Sequence, residues 1–228
     1  MSQVLRSLAE QHEVNLRRWE ELQADPEIRA WPGRVETDRD GNVIMIPPGG
    51  LGHGGRQGRC IALLGQYLPD GIPYGEFAVS TSDGNKIPDC GWVSLGHPEV
   101  QELLTADLDL EEEPKVFTQA PEICVEVLSP RNSVEEIELK KRLYFETGAK
   151  EVWVCGRKGA MEFFGSEGKL SQSKLCPNFP SIISLAPSTR SEGGKDLGRG
   201  VRRRHERGHI PPGKTENRFS KEKSGPER

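Results

Sequence analysis

The chain has few of the features that would assign it quickly. Its aromatic content is 6%, with four Trp, three Tyr and seven Phe in 228 residues. No run approaches the ~18 apolar residues of a membrane span. The first twenty residues, MSQVLRSLAEQHEVNLRRWE, lack the apolar centre of a secretion signal. A cytoplasmic protein is therefore expected. The five cysteines (Cys60, Cys90, Cys124, Cys155 and Cys176) form no C-x-x-C pair, which argues against a zinc site or a disulfide framework. Cys124 and Cys155 sit in apolar runs, where a free thiol behaves as a small hydrophobe. The glycine-rich stretch GGLGHGGRQG (Gly49 to Gly58) has no G-x-x-x-x-G-K-[ST] pattern, so it is read as a flexible loop and His53 as an exposed loop residue.

Charge is unevenly distributed. Residues 187–228 hold 12 Lys+Arg and 6 Asp+Glu, so residues 1–186 hold 31 − 12 = 19 basic and 35 − 6 = 29 acidic side chains. An acidic body argues against broad electrostatic capture of nucleic acid. The tail, rich in Gly, Pro, Arg, Lys and Glu, has almost nothing to bury and is expected to be disordered. Arg199, Arg202, Arg203, Arg204 and Arg207 could supply phosphate affinity, or the tail could be a solvated extension. Three regions are expected: a helical segment at 1–30, an α/β core at 31–186, and the basic tail at 187–228.

Within the core, Val35 and the run Val43-Ile44-Met45-Ile46 flank Asp40-Gly41-Asn42, which predicts a hairpin. A helix is expected over 59–68, strands over 75–81 and 87–94, and loop with some helix over 96–115. A buried strand ICVEVL follows over 123–128. A helix is then expected over 134–147 with Gly148 as its cap, and strands over 151–155 and 161–164. The last apolar segment is 179–185.

Three residues in this frame carry chemistry. Glu126 is the one acid in an apolar strand, and an ionised carboxylate there is costly unless it meets a cation, a metal or solvent. Asp89 opens another strand after Pro88, a position that suits proline because it donates nothing to a ladder. On the 134–147 helix, Glu135, Glu138, Arg142 and Glu146 share one arc at ~100° per residue. The opposite direction falls near Lys140, with Tyr144 beside it and Glu136 on its flank, so a lysine points inward. Two carboxylates meeting at a sheet rim suit Mg²⁺ or Mn²⁺. Alternatively, Glu126 and Lys140 form a buried ion pair, or Glu136 and Lys140 a helix-surface pair.

The stretches IPDCGWVS and PEICVEVLSP, with Lys140, Tyr144, Gly148, Glu151 and Trp153, resemble the PD-(D/E)XK nuclease superfamily, in its restriction-endonuclease-like Uma-two branch. RVETDRDGNVIMIPP is similar to that family's N-terminal hairpin and PNFPSIISL to its closing segment. Gly58 takes the place of the family's histidine, and Glu136 stands where Asp is usual. The resemblance implies a restriction-endonuclease-like α/β core, a central mixed sheet flanked by helices. It also implies Mg²⁺- or Mn²⁺-dependent hydrolysis of phosphodiesters, most naturally in DNA. Asp89, Glu126 and the Val127 carbonyl would be ligands and Lys140 the catalytic lysine. Tyr144 would position Lys140, with Glu76 and Glu136 as supporting acids, and a homodimer is expected. The alternative is a nuclease-derived nucleic-acid-binding or assembly module that no longer cleaves.

Overall fold

Alternating apolar segments and helices build a mixed α/β architecture in the computed structural model, which describes residues 6–105 and 115–185. The main sheet has six strands in the order β11-β10-β9-β8-β6-β3. These are β3 Gly71–Gly75, β6 Cys90–Ser94, β8 Ile123–Val127, β9 Glu151–Cys155, β10 Met161–Gly165 and β11 Gly168–Leu170. Only β8 and β9 pair in parallel, and the other neighbours are antiparallel. The central β8 and β9 are buried along their whole lengths, as expected for strands covered on both faces. The restriction-endonuclease-like architecture anticipated from sequence is therefore present.

Two smaller sheets flank it. β1 Arg34–Thr37 pairs with β2 Val43–Ile46 as the expected hairpin. A three-stranded sheet, β5-β4-β7, comprises β4 Ala78–Thr81, β5 Gly84–Lys86 and β7 Val116–Phe117. Gly84 has φ +87°, and a Cβ there would lie 2.4 Å from the carbonyl oxygens of Thr37 and Asp38. Only glycine fits where this turn meets the hairpin.

The helices are α1 Leu8–Ala24, α2 Pro26–Ala30, α3 Leu51–Tyr67, α4 Pro98–Thr105 and α5 Val134–Glu146. α1 is opened by a capping box between Ser7 and Glu10. It is tied to β4 and β5 through buried Asn15, whose amide donates to Ser80 Oγ (2.8 Å) and the Thr81 carbonyl (2.9 Å) and whose backbone carbonyl accepts from Asn85 Nδ2 (2.9 Å). No helix among the described residues is long and apolar enough to cross a membrane.

Several elements differ from the sequence reading. The glycine-rich stretch is the first half of α3 rather than a loop. Each helical glycine costs about 0.5–1 kcal/mol relative to alanine, but Cys60, Leu63 and Leu64 bury one face of the helix in the main core, and packing prevails over propensity. The strand expected over 75–81 is interrupted, with Glu76 in the link between β3 and β4, and the one expected over 87–94 begins only at Cys90, which leaves Asp89 just before it. α2, β7 and β11 are additional elements. The 179–185 segment forms only an isolated bridge between Ala160 and Ile182. The basic tail falls outside the described residues.

Candidate active site

β6 and β8 are neighbours, in antiparallel register Cys90↔Val125 and Gly91↔Cys124. One step further along that register, Asp89 faces Glu126. The two carboxylates are thus brought together by strand pairing. Both are buried, at 1% and 2% exposure. The Val127 N–H donates to Asp89 Oδ2 (2.5 Å).

α5 supplies the lysine. Ser133 caps the helix by accepting from the Glu136 N–H, which sets the phase of the following turns. Lys140 and Tyr144, one turn apart, face inward and are buried, while Glu135, Glu138, Arg142 and Glu146 are exposed. Lys140 Nζ lies 2.8 Å from Glu36 Oε1 and 3.4 Å from Glu126 Oε1. The Tyr144 hydroxyl donates to Glu126 Oε1 (2.7 Å). Its partner is therefore the carboxylate rather than Lys140, and Tyr144 orients Glu126.

The site contains four further groups. Glu36, on β1, shares Lys140 with Glu126 and accepts from the Ile87 N–H (3.1 Å). Arg34, two residues earlier, donates to Asp89 Oδ1 (2.5 Å) and to the Ile87 carbonyl (3.3 Å). His53, in the first turn of α3, places Nε2 3.2 Å from Asp89 Oδ1. One turn later Gln57 donates to the Asp89 carbonyl (2.7 Å) and to Glu76 Oε1 (3.2 Å). His53 is thus a side chain directed at Asp89 and not an exposed loop residue. The spacing His53, Gln57, Cys60, Leu64 was the available signal, because it is the inward face of one helix. The supporting acids stand apart from Glu126. Glu76 is exposed, and Glu136 accepts from Asn132 Nδ2 (3.2 Å) at the wall of the adjoining cleft.

Burial and charge set the protonation states. Burial raises the Glu126 carboxyl to about 7, with the charge of Asp89 adding to the rise, although Lys140 and the Tyr144 hydrogen bond pull it down. Burial also acts to raise Asp89, but the His53 hydrogen bond and the Arg34 charge hold it below the ordinary carboxylate range. For Lys140, burial favours the neutral amine. The charges of Glu126 and Glu36 overcome this and keep the ammonium protonated beyond its usual range. His53 is raised by its hydrogen bond to Asp89.

A cleft of about 620 Å³ opens onto Arg34, Glu36, His53 and Lys140, with Lys86 and Arg131 also in its walls. The cluster as a whole joins three carboxylates to two permanent cations and an imidazole. Among the described residues, no group of three or more His, Cys, Asp and Glu side chains is arranged to hold a metal ion.

The family model described as "Putative restriction endonuclease" (Uma2) matches residues 19–191. The chain belongs to the Uma2 family. That match spans every residue of the cluster. The fold is similar to the crystal structure of "a putative nuclease belonging to DUF820" from Anabaena variabilis ATCC 29413, with a TM-score of 0.52 and 14% identity. The similarity covers 67% of this chain and 90% of the other. No curated protein matches the chain.

Proposed function

We propose that this Uma2 protein is a metal-dependent nuclease that hydrolyses phosphodiester bonds, with DNA as its substrate, and that Asp89, Glu126 and Lys140 are its catalytic centre. The observation that carries the reading is the pairing of β6 with β8. It sets two buried carboxylates side by side, with an ammonium 3.4 Å from one of them. Strand pairing of two acids with one inward lysine matches the order of the PD-(D/E)XK superfamily, with the lysine carried on α5.

The donor set fits a hard divalent cation. Two carboxylates are enough for Mg²⁺ or Mn²⁺ when waters and substrate oxygens complete the shell. Glu126 is raised chiefly by burial, with the charge of Asp89 adding to the rise, and a cation held between the two acids would oppose both effects. Asp89 and Glu126 would hold the ion, with Arg34 and His53 releasing Asp89 Oδ1 to it. An ion held there would lower the pKa of a bound water and neutralise charge on the scissile phosphate. Lys140, protonated and fixed by Glu36, orients that water and offsets charge developing in the transition state. Held protonated by the charges of Glu126 and Glu36, it is suited to orienting the water and donating to it. Tyr144 keeps Glu126 Oε1 aimed into the cluster. A homodimer belongs to the same proposal.

One observation favours a second reading. Both oxygens of Asp89 are already engaged, by Arg34, His53 and the Val127 N–H. In a nuclease-derived assembly or binding module, this network would be structural and would take no metal. The melting temperature in rising Mg²⁺ or Mn²⁺ separates the two. At a hundredfold excess over Kd, a single site stabilises the fold by about 2.7 kcal/mol. That gain is expected in the wild type and absent from Asp89→Asn. Identical curves with and without metal in the wild type would favour the structural network.

A further inference from the structure

A second cavity, of about 650 Å³, lies on the other side of Arg34, and Arg34 lines both. Its walls combine aliphatic side chains with four aromatic ones: Trp19 from α1, Phe117 from β7, and Tyr74 and Phe77 from the end of β3 and the link after it. Tyr74, Phe77 and Phe117 contact one another edge to face, with centroids 5.6–6.1 Å apart. Gln23, Arg29 and Lys115 add an amide and two cations to the lining.

The cavity adjoins the acid cluster. Ile87, whose carbonyl accepts from Arg34, also lines it. So does Glu76, joined through Gln57 to the Asp89 carbonyl. One guanidinium therefore separates an aromatic slot from the carboxylates placed at the scissile phosphate. A nucleotide has the same division, a flat π-surface with polar edges at one end and an anionic ester at the other.

We infer that this cavity receives an unpaired base of the substrate strand, with that nucleotide's phosphate crossing Arg34 to reach Asp89 and Glu126. The substrate class is accordingly DNA with a single-stranded or displaced nucleotide at the cleavage point, not intact duplex. This rests on the nuclease reading and narrows it. The charge balance agrees. With 19 basic against 29 acidic residues in 1–186, the body is poorly suited to gripping a duplex by its phosphates. Stacking on aromatic rings draws on the π-face that every base has and tolerates any sequence. A paired base is unavailable to it.

The test is fluorescence anisotropy of the full chain with a labelled single-stranded oligonucleotide and with the matching blunt duplex. Cleavage of both with Mg²⁺ is followed in parallel. The single strand is expected to bind at least tenfold more tightly than the duplex. Phe117→Ala is expected to remove about tenfold of that affinity, in line with one lost base stack. Because Phe117 also packs in the structure, Gln23→Trp is made beside it. Gln23 is exposed on α1 and lines the cavity, so the indole obstructs the slot without disturbing the core. A wild-type melting temperature with a tenfold loss of single-strand binding in Gln23→Trp supports the inference. Equal affinity for both substrates, or full affinity in both variants, overturns it. If metal-dependent cleavage continues in that case, the nuclease reading stands alone. If single-strand preference persists with no cleavage, the slot stands and hydrolysis falls.

Discussion

Lys140→Met should destabilise the fold by about 3–5 kcal/mol at pH 8, the usual effect of removing one partner from a buried ion pair. The lysine lies between two buried carboxylates, at 2.8 Å from Glu36 and 3.4 Å from Glu126. Methionine fills a similar volume, so little of the loss comes from packing. The residual charge decides the result. The Lys140 ammonium is held protonated above its ordinary range, so its own stabilisation is fully present at and below neutral pH and is lost only in strong alkali. In the variant the pH dependence therefore belongs to the carboxylates. As the pH falls they can protonate and shed the repulsion, so the variant's deficit should be smaller at pH 5 than at pH 8. Urea denaturation at the two pH values measures this. A deficit below 1 kcal/mol at pH 8 would mean that Lys140 is not the charge holding Glu36 and Glu126 together.

Glu126→Gln should move stability and activity in opposite directions. The Glu126 carboxyl is raised from an ordinary 4.5 to about 7, chiefly by burial. Folded protein thus holds a proton that unfolded chain has lost between those values. Its stability declines as pH rises through that window and levels off above it. A shift of that size corresponds to roughly 3 kcal/mol. Glutamine is neutral at every pH and can still accept from the Tyr144 hydroxyl. Without divalent metal, the variant should match the wild type near pH 4 and exceed it by roughly 3 kcal/mol at pH 8, or about 6–12 °C in Tm for a protein of this size. Calorimetry across that range provides the check. A variant less stable than wild type at pH 8 would show that Glu126 is ionised and fully compensated by Lys140. Cleavage, by contrast, should fall at least a thousandfold, because the carboxylate proposed to hold the metal is gone. A structural ion cluster has no reason to retain a destabilising acid; a catalytic one does.

The elements legible in sequence were those whose pattern is local. The exposed arc Glu135, Glu138, Arg142 and Glu146 fixed the inward direction of Lys140 and Tyr144, and α5 presents them so. Glu126 stood out because its neighbours Val125 and Val127 are apolar, and β8 is buried throughout. Arg34, Glu36 and His53 were missed for three physical reasons. Val35, Glu36 and Thr37 are all buried, so β1 shows no alternation to single out one acid. Glu36 meets Lys140 from 104 residues away and Arg34 meets Asp89 from 55, separations over which local spacing carries no information. His53 was hidden by five glycines between Gly49 and Gly55, whose weak helix propensity concealed a helix that its buried face stabilises. Pro88 and the family resemblance both pointed to Asp89 and its strand, but neither pointed to the Arg34 and His53 contacts that hold its carboxylate.

These contacts change how the centre is understood. Asp89 is held ionised by a guanidinium and an imidazole, while Glu126, opposite it, is poised near neutrality. Environments that push two neighbouring carboxyls apart are typical of acids with different tasks. Asp89 is thereby suited to being the permanent anion of the site, and Glu126 to gaining its charge when a cation arrives.

A metal-dependent phosphodiesterase centre at Asp89, Glu126 and Lys140 is tested by incubating the full chain with supercoiled plasmid and Mg²⁺ or Mn²⁺, alongside Glu126→Gln and a wild-type control containing EDTA. Supercoiled DNA breathes locally and exposes unpaired nucleotides, so it presents the required substrate. Nicked and then linear DNA is expected from the wild type only, with no product in EDTA or from the variant. Intact plasmid with both metals from folded wild-type protein, or equal cutting by Glu126→Gln, would contradict it.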